Sequence, residues 1–366
     1  MSTASLSDRL RNRIKREGPI TFREWMGAAL YDPQEGYYCR RDRQRWGRQG
    51  DYRTAPERSV LFAATFAHYF KSLYQKLNSP SSWAIVEAGA GAGDFAAAVL
   101  ETFKRENPQI LTATRYIIDE LSGASRSLVA TRLAPFEDQV KFESIEEMGV
   151  IDNGIIFTNE LLDAFPVHRV TVMGGQLAEF YVRLDDNGAF AWSLGSPSTP
   201  RLVEYFAELG LALVEDQVAE VNLAARDWMA RAAEILQAGY LITADYGAEA
   251  AELYQSSRRR EGTLRAFERH QSEPHLLGRP GNLDLTSTID WTTIRRAAEY
   301  VGFETIEFER QDRFLLQAGL LEVLELLVEQ TKDEAERVRL RAEAREMILP
   351  DGMAASFQVL IQKRIG

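Results

Sequence analysis

The segment Ile85-Val86-Glu87-Ala88-Gly89-Ala90-Gly91-Ala92-Gly93-Asp94 changes character twice within a few residues. An apolar run from Trp83 to Val86 reads as a buried strand, and Glu87 ends it. Gly89, Gly91 and Gly93 then alternate through a tight turn, since glycine adopts positive φ and lets a ligand approach the backbone closely. Phe95 to Leu100 (FAAAVL) opens a helix, whose first N–H groups are free to meet a polar ligand. Strand, glycine turn and helix together outline the cofactor pocket of an α/β fold.

Two cofactors compete for this outline. Gly91-x-Gly93-x-x-Ala96 fits the dinucleotide fingerprint loosely. The spacing Glu87-x-Gly89-x-Gly91-x-Gly93 fits S-adenosylmethionine (SAM) better. SAM carries no phosphate, and its amino-acid end has an ammonium that a carboxylate can hold, often through water. The same carboxylate would repel a pyrophosphate. Glu87 therefore favours SAM over NAD, and the bland alternative is a glycine-rich connection that binds nothing.

Composition bounds the remaining classes. A chain of 366 residues suits one large domain with insertions, or two domains. Net charge −11 disfavours nucleic acid and anionic membrane as partners, while a basic protein partner is compatible. Cys39 is the only cysteine, which excludes an intrachain disulfide and a thiolate metal cluster. No apolar run approaches the length of a membrane span, and the first residues lack the apolar core of a signal peptide. A reduced cytoplasm is the simplest compartment.

Leu6, Leu10 and Ile14 predict an amphipathic helix over 5–16, and Thr21 caps a second, FREWMGAALY. Residues 34–58 form a long loop rich in Gly, Arg and Tyr, which its aromatics mark as a ligand-covering segment. Residues 59–77 are helical. Arg115 to Asp119 reads as the second strand, and Glu120 behind it stands where a carboxylate accepts from both ribose hydroxyls. Glu120 could instead be a charge at the start of the helix that follows. Lys141-Phe142 and Gly154 to Thr158 supply further strands.

The strand Gly154 to Thr158 runs into Asn159-Glu160-Leu161-Leu162-Asp163-Ala164-Phe165-Pro166-Val167-His168. Ligands of open α/β sheets bind at this carboxyl edge, and buried carboxylates without a role cost desolvation energy. Asn159, Glu160 and Asp163 are therefore site candidates; His168 is ambiguous. His168 also opens a run of period-two character with Gly174-Gly175 and Asn187-Gly188 turns, an inserted antiparallel meander. Helices are expected at 201–209 and 219–237, a fifth strand at Tyr240 to Ala244, and a second long loop at 248–284. His270 and His275 in that loop lack metal-ligand spacing, so no metal is expected. A helix, a strand at 303–310, further helices and a last strand from Phe357 to Gln362 complete the chain.

These segments carry a resemblance. ITFREWMGAALYDPQEGYY, GDYRTAPERS, EAGAGAGD, YIIDELS, NELLDAFPVHR, ADYG, GTLRAF with His270, and PGNLDLTSTIDW resemble the MidA-like family of SAM-dependent methyltransferases. The resemblance covers nearly the whole chain, and NELLDAFPVH is its most specific part. It implies a class I methyltransferase: a seven-stranded, mostly parallel sheet with helices on both faces. Residues 1–78 would form a helical cap with a substrate-covering loop. Residues 79–366 would form the methyltransferase domain, with insertions at about 167–200 and 248–284. SAM would be held by Glu87, Gly89, Gly91, Gly93, Glu120, Asn159 and Glu160, and catalysis would involve Glu160, Asp163 and His270. The family's mitochondrial branch methylates protein arginine in respiratory complex I assembly, which implies a protein substrate, possibly a respiratory-complex subunit. Two positions depart from the family pattern: Thr288 replaces a histidine and Phe267 a tyrosine. A catalytically silent SAM-binding assembly factor and an NAD-dependent oxidoreductase are the competing classes; Glu87 and NELLDAFPVH speak against the latter.

Overall fold

The computed structural model describes residues 4–40, 59–255, 259–268, 271–349 and 352–364. They cluster into two compact units, each assembled from separate stretches of chain. One contains residues up to 40, Leu162–Trp228 and Ala248–Arg296; the other contains 59–161, Met229–Gly247 and the chain from Ala297 onward. The break expected at residue 78 lies inside the second unit. Trp46 and Tyr52 of the long loop fall outside the described residues.

The second unit is built on a mixed sheet. Along the sheet run Phe303–Arg310, Phe357–Arg364, Leu236–Ala248, Ile151–Asn159, Trp83–Ala88, Thr114–Asp119 and Val140–Phe142. The last five of these are parallel to one another. Phe357–Arg364 is antiparallel to both strands it lies between. Seven strands thus run along the main path, mostly parallel, as the resemblance implies, and the short strand Ile289–Asp290 pairs with Leu236–Ala248 off that path. Apolar runs such as WAIVEA, buried at every position, are what a sheet covered on both faces demands.

Aromatic packing holds the central strands beneath their helices. Phe157, two residues before the end of its strand, stacks on Phe95 at 4.2 Å with an interplanar angle of 11°. Phe95 stands in the first turn of the helix Asp94–Glu106. Phe66 and Phe70 of the helix Val60–Lys76 close on the same pair, at 5.1 and 5.8 Å from Phe157. The stack joins the helix after the glycine turn to the strand that carries Asn159.

The other unit pairs the N-terminal segment with the inserted meander. His168–Met173, Gln176–Leu184 and Phe190–Gly195 form antiparallel hairpins, as the turn signals imply. Ile20–Thr21 pairs with Gln176–Leu184 at one edge, and Val218–Val221 with His168–Met173 at the other. Thr21 also caps the helix Phe22–Tyr31 through a reciprocal pair with Glu24. Val218–Val221 corrects the helix expected at 219–237: the helix is Leu223–Ile235. The capping signal is Asn222, whose Oδ1 accepts from the N–H of Ala225, so the residues before it are free to extend as a strand. The second long loop also has structure of its own. It contains the helix Ala250–Gln255 and a small sheet of Arg265–Glu268, Gln271–Ser272 and Asp284–Thr286. Among the described residues no helix is long and apolar enough to cross a membrane.

Phe157 tests the packing account. Removing a fully buried ring typically costs about 3–5 kcal/mol. Phe157→Ala should lose that much in urea unfolding, read from the shift of the transition midpoint.

Candidate active site

The parallel register brings three strand ends side by side. Ala88 lies opposite Asp119 on one neighbour and Thr158 on the other. The residues that follow are Gly89, Glu120 and Asn159, at the edge where α/β sheets hold ligands.

The glycine turn is tied to the strand next to it. Gly89, Gly91 and Gly93 have φ of 76°, 57° and 79°. At Gly89 the requirement is doubled, because a Cβ there would stand 2.9 Å from Leu161 Cδ1. The Gly89 N–H donates to the Asp119 carbonyl at 2.8 Å, and Gly91 N–H donates to Glu120 Oε2 at 3.0 Å. Glu120 Oε1 accepts from the N–H of Ser122 at 2.8 Å, where Ser122 caps the helix Gly123–Arg132. Glu120 therefore serves the helix start, and also braces the turn with its other oxygen. A carboxylate oxygen can accept more than one hydrogen bond. Arg126 Nε donates to the Glu120 carbonyl at 2.6 Å, and Arg132 donates to the Ala92 carbonyl at 2.7 Å while pairing with Asp94.

Glu87 is 5% exposed and accepts from the hydroxyl of Tyr116 at 2.6 Å. Burial pushes its pKa up, the Tyr116 hydrogen bond opposes this, and the Glu120 and Asp94 charges add to the rise; the result is about 8. Burial likewise lifts Asp119 to about 6, against a backbone hydrogen bond from Ile145 and the charge of Arg126.

Asn159 and Glu160 complete this group. Asn159 Nδ2 donates to Glu160 Oε1 at 3.2 Å. Asn159 Oδ1 is buried without a hydrogen-bond partner among the described residues. Glu160 has φ of 51°, a left-handed backbone that costs a non-glycine residue about 1–3 kcal/mol and that clusters at functional sites. Its N–H is held by the Ala244 carbonyl at 2.9 Å.

The remaining candidates lie elsewhere. Asp163 belongs to the first unit, in the short helical turn Leu162–Ala164, and is 5% exposed. His270 falls outside the described residues. His168, in the same unit as Asp163, forms a buried pair with Glu179, Nδ1 to Oε1 at 2.7 Å. Burial would raise Glu179, but hydrogen bonds from His168 and the Ser198 N–H outweigh it and hold the carboxyl below its usual range. Thr288 uses its backbone N–H, which donates to Thr263 Oγ1 at 3.2 Å. Phe267 lies on the small sheet, opposite Asp284 and Ser272.

Comparison with known proteins identifies the family. A family model described as "Putative S-adenosyl-L-methionine-dependent methyltransferase" matches residues 65–309. The chain belongs to this methyltransferase family. It is similar to the mouse mitochondrial protein arginine methyltransferase NDUFAF7, with 26% identity over 94% of this chain and 81% of that one. The Drosophila melanogaster homologue is 27% identical over 81% of this chain and 71% of its own. A Burkholderia thailandensis protein crystallised with S-adenosyl-homocysteine superposes with a TM-score of 0.84. It is 28% identical, covering 98% of this chain and 92% of that one.

The cofactor of the methyltransferase is SAM, and its chemistry suits the residues at the three strand ends. SAM offers donors there, an ammonium and two ribose hydroxyls. The site offers acceptors: Glu87, both oxygens of Glu120, and the orphaned Asn159 Oδ1. Three supporting residues are not signalled by the sequence reading: Tyr116, Arg126 and Arg132. Tyr116 was the most accessible of them, a polar-tipped aromatic in the apolar run of the second strand.

Two outcomes test the site. Between about pH 4.5 and pH 8 the unfolded chain has lost the Glu87 proton and the folded chain keeps it. Stability of the ligand-free protein should therefore fall as pH rises across that window, by on the order of a few kcal/mol, and level off above it. Glu87→Gln should flatten this slope in denaturant midpoints measured against pH. Glu120→Gln places an NH2 group against one of two backbone donors. Calorimetry with S-adenosylhomocysteine should show a loss of roughly 1.5–3 kcal/mol in binding.

Proposed function

We propose that this methyltransferase acts on a protein side chain, the guanidinium of arginine. The observation that carries the reading is Asp163, a carboxylate 5% exposed within the specific NELLDAFPVH segment. The names of the mouse and fly relatives, both protein arginine methyltransferases, support the same acceptor. So does the net charge of −11, which suits a basic segment of a partner protein.

When bound, SAM supplies an electrophilic methyl group; the protein supplies orientation. A guanidinium is planar, always charged and suited to paired hydrogen bonds with a carboxylate. Asp163 is assigned to hold that charge and concentrate electron density on one nitrogen. Glu160 and Asn159 are assigned to the methyl-donor side with Glu87 and Glu120, and His270 to the acceptor. A guanidinium carries a proton that leaves after methylation, so a strong base is not required. A respiratory-complex subunit is the acceptor class that the family resemblance suggests, with the reaction placed in the cytoplasm.

Tritiated SAM added to a lysate of a strain lacking this gene tests the reading, with mass spectrometry of the labelled protein. Wild-type enzyme should label an arginine. Asp163→Asn should keep its affinity for S-adenosylhomocysteine and label about a hundredfold more slowly, a loss near 3 kcal/mol in the transition state. Unchanged labelling by the variant, or none by the wild type, would overturn the assignment.

A further inference from the structure

The turn Leu162–Ala164 is held in an unusual way. Three successive carbonyls each accept from a different remote segment. Leu162 O accepts from Asn222 Nδ2 at 2.8 Å, Asp163 O from the N–H of Ser287 at 2.9 Å, and Ala164 O from the hydroxyl of Tyr31 at 2.9 Å. Tyr31 ends the helix Phe22–Tyr31, Asn222 precedes the helix Leu223–Ile235, and Ser287 follows the strand Asp284–Thr286. All three segments belong to the same unit as the turn.

The consequence follows from peptide geometry. A residue has two soft dihedrals, and each lies between rigid peptide planes. The Leu162 and Asp163 carbonyls mark the planes on either side of the Asp163 Cα. Pinning both fixes φ and ψ of Asp163, and pinning Ala164 O fixes the next plane as well. The direction in which the Asp163 side chain leaves the backbone is thus set by Asn222, Ser287 and Tyr31.

The pins are themselves supported. Asn222 uses its Oδ1 to accept from the Ala225 N–H at 2.9 Å, which leaves its NH2 for Leu162. Next to Ser287, the Thr288 N–H bonds Thr263 Oγ1, and Thr263 donates to Glu220 Oε2 through its N–H at 2.5 Å and its hydroxyl at 3.1 Å. Glu220 pairs with Arg169 at 3.3 Å, whose guanidinium lies 5.1 Å from the ring centres of Phe180 and Trp192.

We propose that Tyr31 and Asn222 are positioning residues for methyl transfer, and that with the Ser287 backbone they hold Asp163 in the orientation the acceptor needs. This rests on the assignment of Asp163 to the acceptor.

The test compares four full-length proteins: wild type, Asp163→Asn, Tyr31→Phe, and the double variant Tyr31→Phe with Asn222→Asp. Phenylalanine removes the hydroxyl donor and keeps the ring that stacks on Tyr38 at 5.5 Å. Aspartate at 222 keeps an oxygen for the helix cap and removes the donor to Leu162. The readouts are initial rate of tritium transfer into the deletion-strain lysate at saturating SAM, Kd for S-adenosylhomocysteine, and thermal midpoint. The double variant should label at least tenfold more slowly and Tyr31→Phe about threefold more slowly. Affinity for S-adenosylhomocysteine should stay within twofold and the thermal midpoint within a few degrees. If Asp163→Asn is slow and the other two variants label at the wild-type rate, the clamp has no positioning role and the inference falls alone. A rate loss that merely follows a loss of folded protein also overturns it, and Tyr31→Phe gives that answer if the double variant does not fold. If Asp163→Asn labels normally, or wild type labels nothing, the acceptor assignment fails and takes the inference with it.

Discussion

The site depends on a bond between a turn and a strand that is not its own. Glycine buys the turn its shape, yet shape alone leaves Gly89 to Gly93 free to move as a loop. The Asp119 carbonyl and the Glu120 carboxylate remove that freedom by accepting from Gly89 and Gly91. Because Trp83–Ala88 and Thr114–Asp119 are already in parallel register, those acceptors arrive at the correct height without further adjustment. The two adjacent strand ends and the helix starts beyond them become one surface. Glu87, buried beside Tyr116, lies beneath that surface and is mostly protonated at neutral pH until a cation arrives. A ligand ammonium would meet an acceptor able to give up its proton, which couples binding to charge.

The other unit treats its backbone differently. The Leu162–Ala164 turn is too short to stabilise itself, so it borrows donors from three distant stretches. An aromatic and charged layer stands behind one of them. Arg169 between Phe180 and Trp192 keeps its guanidinium flat and partly desolvated, which strengthens its pairing with Glu220. The antiparallel meander thus acts as a rigid support as well as an insertion, with His168 and Glu179 fastening its first two strands.

Much of this was readable from residue order, and the unread part has a common cause. The positive-φ turn at Gly89, Gly91 and Gly93 was legible from glycine spacing, and Glu120 as a candidate from its place just after a strand. The central strands Trp83–Ala88 and Ile151–Asn159 announce themselves as largely apolar runs because they are buried on both faces. Tyr116 and Arg132 act across strands and helices, and their partners depend on a register that spacing does not encode. Val218–Val221 was read as helix because its edge pairing with His168–Met173 is a tertiary event. Asn222 caps the helix Leu223–Ile235, inside the span 219–237 over which the sequence predicts a continuous helix. The pins on Leu162–Ala164 were invisible for the same reason: a carbonyl's partner is a property of the fold, and every residue has a carbonyl.

The interleaving of the two units bears on how the protein is made. Synthesis proceeds from the N-terminus, and segments that fold as units generally do so as they emerge. Here the unit that begins first needs Ala248–Arg296 before its core is whole. The strand Phe357–Arg364, made after the other strands described, belongs in the interior of its sheet, between Leu236–Ala248 and Phe303–Arg310. Until it arrives, Leu236–Ala248 presents an open edge of apolar backbone, a surface that invites pairing with other nascent chains. That edge of Leu236–Ala248 therefore stays unpaired until Phe357–Arg364 has been made.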